Sequence, residues 1–194
     1  VGVSRVLTMD LHADQIQGFF DIPVDNIYAS PVLLGDLRLK NYNDLIVVSP
    51  DVGGVVRARA LAKQLGCDLA IIDKRRTGHN MAESLTVIGD VSGRTAILID
   101  DMIDTGGTIC SGAKLLREQG ATGVIACATH PVFSPPAIER LSVEGLFEQV
   151  VVTNSIPIAS NHVFPQLHVL SVANMLGEAI WRIHEESSVS SMFR

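Results

Sequence analysis

The sequence predicts an α/β protein of one domain, residues 1–194, built on a doubly wound parallel sheet. Unbroken apolar runs at 45–48 and 96–99 are typical of strands buried on both faces of such a sheet. Segments with helical periodicity, such as 109–119, alternate with these runs. No internal repeat, low-complexity segment or Pro/Gly linker divides the sequence, so one domain accounts for all of it.

The composition excludes several classes of protein. With 47% apolar and 19% charged residues, the chain has ample material for a core. A formal net charge of -6 argues against broad binding to nucleic acid or anionic membranes, and the apolar runs are shorter than the roughly 20 residues of a membrane span. Cys67, Cys110 and Cys127 are widely spaced, which predicts reduced thiols in a cytoplasmic protein. The start at Val1 predicts that the front of a longer protein is missing.

The first 40 residues predict two short elements and a turn before the first long helix. Weak alternation predicts a strand over 3–9, and 15–20 has the pattern of a short helix. Asp25 and Asn26 lie between two prolines, which is typical of a turn. A helix is then expected over 32–39.

Strands and helices alternate through the middle of the chain. The apolar run 45–48 predicts a strand, the alanine-rich segment 55–65 a helix, and 69–72 another buried strand. Residues 84–90 and the segment from Arg94 onward have the pattern of a strand pair. This pair leads into the central strand of the sheet.

The last third of the chain predicts two further helices and three strands. A proline pair begins a short helix that ends at residue 141. An amphipathic helix is expected over 172–185 with Trp181 as a packing anchor, and the serine-rich tail 187–194 is expected to be loose unless a partner or effector holds it. The strands are expected at 123–128, 149–153 and 168–171.

Chemistry is expected where the central strand ends. Asp100 and Asp101 follow the apolar run directly, and adjacent like charges cost stability. Ligands of open α/β sheets bind at the edge formed by the carboxyl ends of the parallel strands. Ionised carboxylates only accept hydrogen bonds, which suits the hydroxyls of a ribose or a divalent metal ion.

A glycine-rich loop follows the acid pair and opens the helix 109–119. Its glycines allow successive backbone N–H groups to converge, and the helix macrodipole adds positive potential, so the loop suits a phosphate group. A tight turn without a ligand is the alternative for the glycine pair alone. The loop consists of Thr105, Gly106, Gly107 and Thr108.

The same pattern recurs after the strand 45–48. Asp51 is followed after Val52 by a glycine pair, Gly53 and Gly54, and then by a helix. Packing alone does not explain a second anion-binding strand end in one sheet. Two facing phosphate sites imply a substrate with phosphate at both ends or two phosphorylated substrates that meet.

A cluster of three cations follows the strand 69–72. It consists of Lys74, Arg75 and Arg76, and a polar segment without periodicity, 77–80, comes next, which predicts a mobile loop. A solvated basic turn is the ordinary interpretation of such a cluster. Beside two anion-binding loops, the cluster favours a lid whose cations neutralise charge on a transferring phosphoryl group.

His12 follows the first strand and is flanked by acids. A neutral imidazole there could ligate a metal ion or bond a nucleotide phosphate. A lone histidine is more often a satisfied structural residue, and taken alone His12 favours that interpretation.

Four motifs in this order resemble the ribose-phosphate pyrophosphokinases, also called phosphoribosyl pyrophosphate synthetases, whose fold is the type I phosphoribosyltransferase fold. The resemblance is to the carboxyl-terminal half of that family and extends from Val1 to Phe193. Any one motif is moderately specific, and four in order are highly specific. The motifs are DLHADQIQGFF at 10–20, SPDVGG at 49–54, DKRR at 73–76 and DDMIDTGGT at 100–108.

The resemblance implies an enzyme of nucleotide precursor biosynthesis. That family uses magnesium to transfer the diphosphoryl group of ATP to the C1 hydroxyl of ribose 5-phosphate, which gives 5-phosphoribosyl 1-pyrophosphate and AMP. Its members assemble as hexamers built from dimers. Phosphoryl transfer needs positioning and charge neutralisation rather than a covalent nucleophile, and the motifs contain no suitable serine or cysteine.

The resemblance also implies a role for individual residues. The catalytic residues would be Lys74 and Arg76. The residues that bind ribose 5-phosphate would be Arg76, Asp100, Asp101, Asp104, Thr105, Gly106, Gly107 and Thr108. The pyrophosphate loop would be Asp51, Val52, Gly53 and Gly54. The metal ligands would be His12, Asp51, Asp100 and Asp101.

A regulatory site is implied by fewer matches. In the family it takes phosphate or ADP at a subunit interface, and phosphate would act there as an activator. A solvated polar tail is the alternative interpretation of its last residues. The matching residues are Gln17, Asp25, Asn26, Ser188, Ser190 and Phe193.

The chain departs from the family in two respects, and two alternatives stay open. The family has an amino-terminal domain of the same fold that supplies part of the ATP site, so this chain alone is expected to be inactive. Thr77 stands where the family usually has proline, which affects the stiffness of the lid. One alternative is a base phosphoribosyltransferase, which both glycine loops would also serve. The other is a non-catalytic synthetase-associated subunit. The presence of Lys74, Arg76 and Asp100 argues against this second alternative.

Overall fold

The computed structural model describes residues 1–40, 42–75 and 84–193. Arg76 and the segment 77–80 of the predicted lid lie outside these residues, whereas Lys74 and Arg75 lie within them. No helix in the described part of the chain is long and apolar enough to cross a membrane.

Nine strands form two sheets within the described residues. They are β1 (Val6–Met9), β2 (Val24–Ile27), β3 (Leu45–Ser49), β4 (Asp68–Arg75), β5 (Ser84–Ile88), β6 (Thr95–Ile103), β7 (Gly123–Pro131), β8 (Gln149–Thr153) and β9 (Leu167–Leu170). β1 and β2 pair in parallel as a separate small sheet. The other seven form the main sheet in the order β5-β4-β3-β6-β7-β8-β9, in which every neighbouring pair is parallel except β4 and β5.

Helices cover both faces of the main sheet. They are α1 (Ser30–Lys40), α2 (Val55–Leu65), α3 (Gly107–Glu118), α4 (Ala137–Leu141) and α5 (Ala173–His184). α1 and α2 pack on the face that holds Ile97, whereas α3 and α4 pack on the face that holds Leu98. Both residues are fully buried, as expected for a strand covered on both sides. The predicted doubly wound α/β fold is therefore confirmed.

The two ends of the chain meet at the small sheet. Ile27 of β2, Ala179 of α5 and Val189 of the tail form one buried apolar cluster, against which Met9 of β1 also packs. This cluster attaches α5 and the tail to the strand that leads to His12.

Asp25 and Asn26 were expected in a turn, and this prediction is wrong. They belong to β2, where their backbones pair in register with Leu7 and Thr8 of β1. The cause is a parallel ladder with a distant segment, which local turn chemistry does not reveal.

The predicted strand pair of 84–90 with the segment from Arg94 is also wrong. β5 pairs in antiparallel fashion with β4, and β6 pairs with β3 and β7 instead. The ladder with β5 extends β4 through Arg75, so Lys74 is a strand residue opposite Leu85 rather than part of a loop.

Two expectations about the carboxyl terminus fail as well. Trp181 is 56% exposed and is not a packing anchor. The tail is not loose, because Val189–Phe193 forms a 3₁₀ helix in which Val189 is buried. The Phe193 ring meets Tyr28 edge to face with centroids 6.0 Å apart. The apolar residues between the serines bury against the small sheet and order this segment.

Candidate active site

The acid pair lies at the carboxyl end of β6. Asp101 is 3% exposed, and its Oδ2 lies 2.7 Å from His12 Nδ1. Backbone amides orient the carboxylates, because Asp101 N donates to Asp100 Oδ1 and Met102 N donates to Asp101 Oδ1, each over 2.9 Å. Arg57 Nη1 lies 3.7 Å from Asp100 Oδ1 and 3.8 Å from Asp101 Oδ1. Two carboxylates are thus placed between an imidazole and a guanidinium.

The pKa values of the two carboxyl groups are shifted in opposite directions. Burial, helped by the hydrogen bond with Asp101, raises the pKa of Asp100 to about 7. Burial also disfavours the charged form of Asp101, but hydrogen bonds with Asp100 and His12 outweigh it and lower the pKa of Asp101. An ionised Asp101 accepts a hydrogen bond from the N–H at His12 Nδ1, and a neutral His12 ring in that tautomer keeps a lone pair on Nε2 for a metal ion or a donor.

Asp51 shapes the loop after β3. Its Oδ1 accepts a hydrogen bond from Gly54 N over 2.9 Å, and its carbonyl oxygen accepts one from Ser49 Oγ over 2.7 Å. A Cβ at Gly54 would lie 3.0 Å from Ser49 Oγ, which is tighter than ordinary contact, so glycine permits this close fold. α2 begins directly after the loop and places its positive end there.

A cavity of about 590 Å³ joins the acid pair to this loop. Its volume is within the range of small-molecule sites. Lys74 is exposed and is not among the described residues that line the cavity. The lining includes His12, Asp51, Gly53, Gly54, Arg57, Asp100 and Asp101.

The second glycine loop leads from β6 into α3. Gly106 has φ +71°, in the left-handed region that glycine adopts readily, and it immediately precedes α3. The first N–H groups of a helix have no partner within it, so they are available to an anion. Arg140 of α4 donates from Nη1 to Thr105 O over 3.0 Å, which brings a guanidinium to this loop. Residues 104–108 are not among the described residues that line the cavity.

A buried polar network positions the segment that carries His12. Asp10 is 4% exposed, and its Oδ2 accepts hydrogen bonds from Ala29 N over 2.8 Å and from Thr129 Oγ1 over 2.7 Å. Asp10 has φ +43°, a backbone conformation that residues other than glycine rarely adopt, and the chain turns there directly after β1. Because Thr129 belongs to β7, the network joins the small sheet to the main sheet two residues before His12.

The predicted metal ligands come together in part. His12, Asp100 and Asp101 are neighbours, and Asp51 lines the same cavity. Within the described residues, no group of three or more His, Cys, Asp or Glu side chains is arranged to hold a metal ion. The donor set nevertheless fits Mg²⁺, which retains water ligands and is usually bound by one or two carboxylates together with substrate phosphates.

The residues of the predicted regulatory site lie on two segments that approach each other. One segment includes β2 and the preceding 3₁₀ helix, Asp14–Phe19, and the other is the tail. The contact between Tyr28 and Phe193 joins the two segments. The residues are Gln17, Asp25, Asn26, Ser188, Ser190 and Phe193.

Sequence reasoning missed three residues of this edge. Arg57 lies three positions after Gly54, one helical turn on, and this spacing is a signal that could have placed it at the site. Arg140 and Thr129 reach the site from other elements, and no local pattern marks them.

This edge has the arrangement typical of phosphate-binding α/β proteins, in which acids and glycine-lined helix N-termini gather at the carboxyl ends of parallel strands. Residues 79–194 match the family model described as the phosphoribosyl synthetase-associated domain. The chain therefore belongs to the family that this model describes, and the resemblance inferred from the four motifs is confirmed.

Individual relatives agree with the family model. Over its full length the chain is 79% identical to the ribose-phosphate pyrophosphokinase of Parasynechococcus marenigrum and covers 59% of that protein. It is 60% identical to ribose-phosphate pyrophosphokinase 1 of Spinacia oleracea, with 100% of this chain and 58% of that protein covered. The chain thus spans about three fifths of the length of these relatives.

A solved structure shares the fold. The crystal structure of phosphoribosylpyrophosphate synthetase from Mycobacterium smegmatis superposes with a TM-score of 0.88 at 48% identity, over 96% of this chain and 60% of that chain. The predicted type I phosphoribosyltransferase fold is therefore confirmed.

Replacing Thr129 with valine should lower the free energy of unfolding by about 1–3 kcal/mol, because buried Asp10 Oδ2 loses one of its two donors. Urea unfolding followed by circular dichroism measures this loss. Thr122→Val is the matched control, since its exposed hydroxyl makes a single 3.4 Å contact with Gly93 O, and it should change stability by under about 0.5 kcal/mol. Equal losses in both variants would contradict the role given to the Asp10 network.

Proposed function

We propose that this chain is the carboxyl-terminal part of a ribose-phosphate pyrophosphokinase. In the complete enzyme it takes part in the Mg²⁺-dependent transfer of the diphosphoryl group of ATP to the C1 hydroxyl of ribose 5-phosphate, which yields 5-phosphoribosyl 1-pyrophosphate and AMP. The observation that carries the proposal is the single sheet edge that holds the acid pair, the 51–54 loop and the start of α3. The names of the relatives support the activity.

The acid pair is the proposed metal site. Asp100 and Asp101 hold Mg²⁺, with His12 and Asp51 beside it. Neutralisation of phosphate charge is the chemistry that the ion supplies there when bound. The backbone hydrogen bonds to both carboxylates support this role, because they fix the acids before any ligand arrives.

The loop 104–108 is the proposed site of the sugar phosphate. The first N–H groups of α3 and the hydroxyls of Thr105 and Thr108 donate to the 5-phosphate. Asp100 and Asp101 accept hydrogen bonds from the ribose hydroxyls. Arg140 supports anion binding because it adds a positive charge beside Thr105.

The 51–54 loop and two cations are proposed to handle the transferring group. The loop binds the pyrophosphate portion through its glycine N–H groups. Lys74 and Arg76 stabilise the charge that develops on the transferring phosphoryl group, and Arg76 also contacts ribose 5-phosphate. The position of Lys74 supports this role, because β4 lies beside β3, from which the 51–54 loop departs.

Assembly, location and regulation are proposed from the family. The enzyme is a cytoplasmic hexamer built from dimers, and phosphate activates it at the predicted regulatory site. The contact between Tyr28 and Phe193 supports a common site, because it brings the two halves of that residue set together.

Gly106→Ala should weaken ribose 5-phosphate binding about tenfold or more, because a strained left-handed alanine shifts the N–H groups of the phosphate loop. Gly66→Ala is the matched control. Gly66 has φ +68°, close to the +71° of Gly106, but lies at the carboxyl end of α2. Both variants should lose about 1–2 kcal/mol of stability. Isothermal titration calorimetry should show weakened binding only in Gly106→Ala, and equal affinity in the two variants would contradict the assignment of the loop.

Lys74→Ala should lower kcat about 100-fold or more with little change in ribose 5-phosphate affinity, because its charge acts mainly in the transition state. The assay uses a chimaera in which this chain replaces the matching 194 residues of the Parasynechococcus marenigrum enzyme, and it measures AMP formation. Lys63→Ala, at an exposed lysine of α2, is the control and should retain full activity. A Lys74→Ala chimaera with a near-normal rate would exclude the catalytic role.

A further inference from the structure

Arg57 is placed to serve more than one ligand. It lies in the first turn of α2, directly after the 51–54 loop, and its guanidinium extends to the acid pair on β6. Its side chain retains 27% exposure and borders the cavity that both groups share. One flexible cation therefore stands between the predicted pyrophosphate loop and the predicted metal ligands.

The contact between Arg57 and the acid pair depends on charge alone. Nη1 lies 3.7 Å from Asp100 Oδ1 and 3.8 Å from Asp101 Oδ1, which is beyond hydrogen-bond distance. Within the described part of the chain, the Arg57 guanidinium makes no hydrogen bond. An arginine with a structural task usually donates several hydrogen bonds from its fixed fork, as Arg94 does from Nη1 to Asp68 Oδ2 over 2.7 Å and from Nη2 to Leu45 O over 2.9 Å. The Arg57 contact is therefore one that another cation can replace.

The charges that line the cavity favour replacement of Arg57 by a divalent cation at the acid pair. Arg57 is the only lysine or arginine among the described residues that line it, whereas Asp51, Asp100 and Asp101 all contribute carboxylates. A divalent cation on the acid pair would neutralise the carboxylates that now hold Arg57 and would repel the guanidinium at short range. The displaced Arg57 guanidinium would remain close to a phosphate group bound by the 51–54 loop, because this loop leads directly into α2, the helix that carries Arg57.

We propose that Arg57 is an exchangeable counter-ion of the acid pair. It offsets the two carboxylates when no metal ion is present, gives them up to a divalent cation, and then contacts the phosphate group bound in the same cavity. The inference rests on the proposed function of this edge as a metal and phosphate site. Its consequence is that Arg57 opposes binding of a metal ion alone and favours binding of a phosphate anion.

Two probes with opposite expected responses test the inference. Mn²⁺ binding is measured by the loss of the free-ion signal in electron paramagnetic resonance, and inorganic pyrophosphate binding is measured by calorimetry in buffer that contains excess Mg²⁺. Arg57→Met should bind Mn²⁺ about three- to tenfold more tightly, because a competing cation is gone, and pyrophosphate about tenfold more weakly. Arg57→Lys keeps the charge and should restore the Mn²⁺ affinity of the unmodified chain.

Arg59→Met is the matched control, since Arg59 is an exposed cation two positions further along the same helix. Both of its affinities should stay within about twofold of those of the unmodified chain. If Arg57 had only a structural role, Arg57→Met would bind both Mn²⁺ and pyrophosphate more weakly. That result, or an unchanged Mn²⁺ affinity, would overturn this inference but not the proposed function. An unmodified chain that binds neither probe would overturn the proposed function together with it.

Discussion

The structure depends on how it accommodates two adjacent carboxylates at the end of its central strand. Asp100 and Asp101 are largely enclosed, and like charges in such a place destabilise a fold unless opposite charges and donors face them. Backbone amides, the His12 imidazole and the Arg57 guanidinium supply those partners. These partners do not fully offset the cost of two buried negative charges, because the pKa of Asp100 is still raised to about 7, mainly by burial. A divalent cation at the acid pair would supply the remaining positive charge.

The fold brings these partners to one place through its topology. Parallel strands deliver their carboxyl ends to a common edge, so the loop after β3 and the acid pair of β6 line the same cavity although about 50 residues separate them. The small sheet is a separate unit, and the bond from Thr129 to Asp10 attaches it where His12 must reach Asp101. Loss of one buried hydrogen bond would therefore affect both stability and the position of a site residue.

The sequence predicted the strands of the central sheet and the glycine turns that open α2 and α3, because each is a local pattern: a buried strand is an apolar run, and a glycine pair marks the turn into a helix. Apart from Trp181, which is exposed on α5, its failures concern which partner a segment pairs or packs with. Asp25 and Asn26 join a ladder with β1, β5 chooses β4 as its partner, and Val189 buries in the cluster around Ile27. The same reason hid Arg140, whose contact with Thr105 spans 35 positions. Arg57 differs, since its spacing from Gly54 carried a signal.

One edge of the sheet is proposed to bind a divalent cation and a sugar phosphate side by side. Crystals of the chain soaked with Mn²⁺ and ribose 5-phosphate can distinguish the two ligands, because anomalous scattering locates the metal ion independently of the sugar. We expect an anomalous peak at Asp100 and Asp101, with the 5-phosphate at the backbone amides of 105–108. A metal peak away from the acid pair, or a sugar phosphate bound elsewhere, would contradict it.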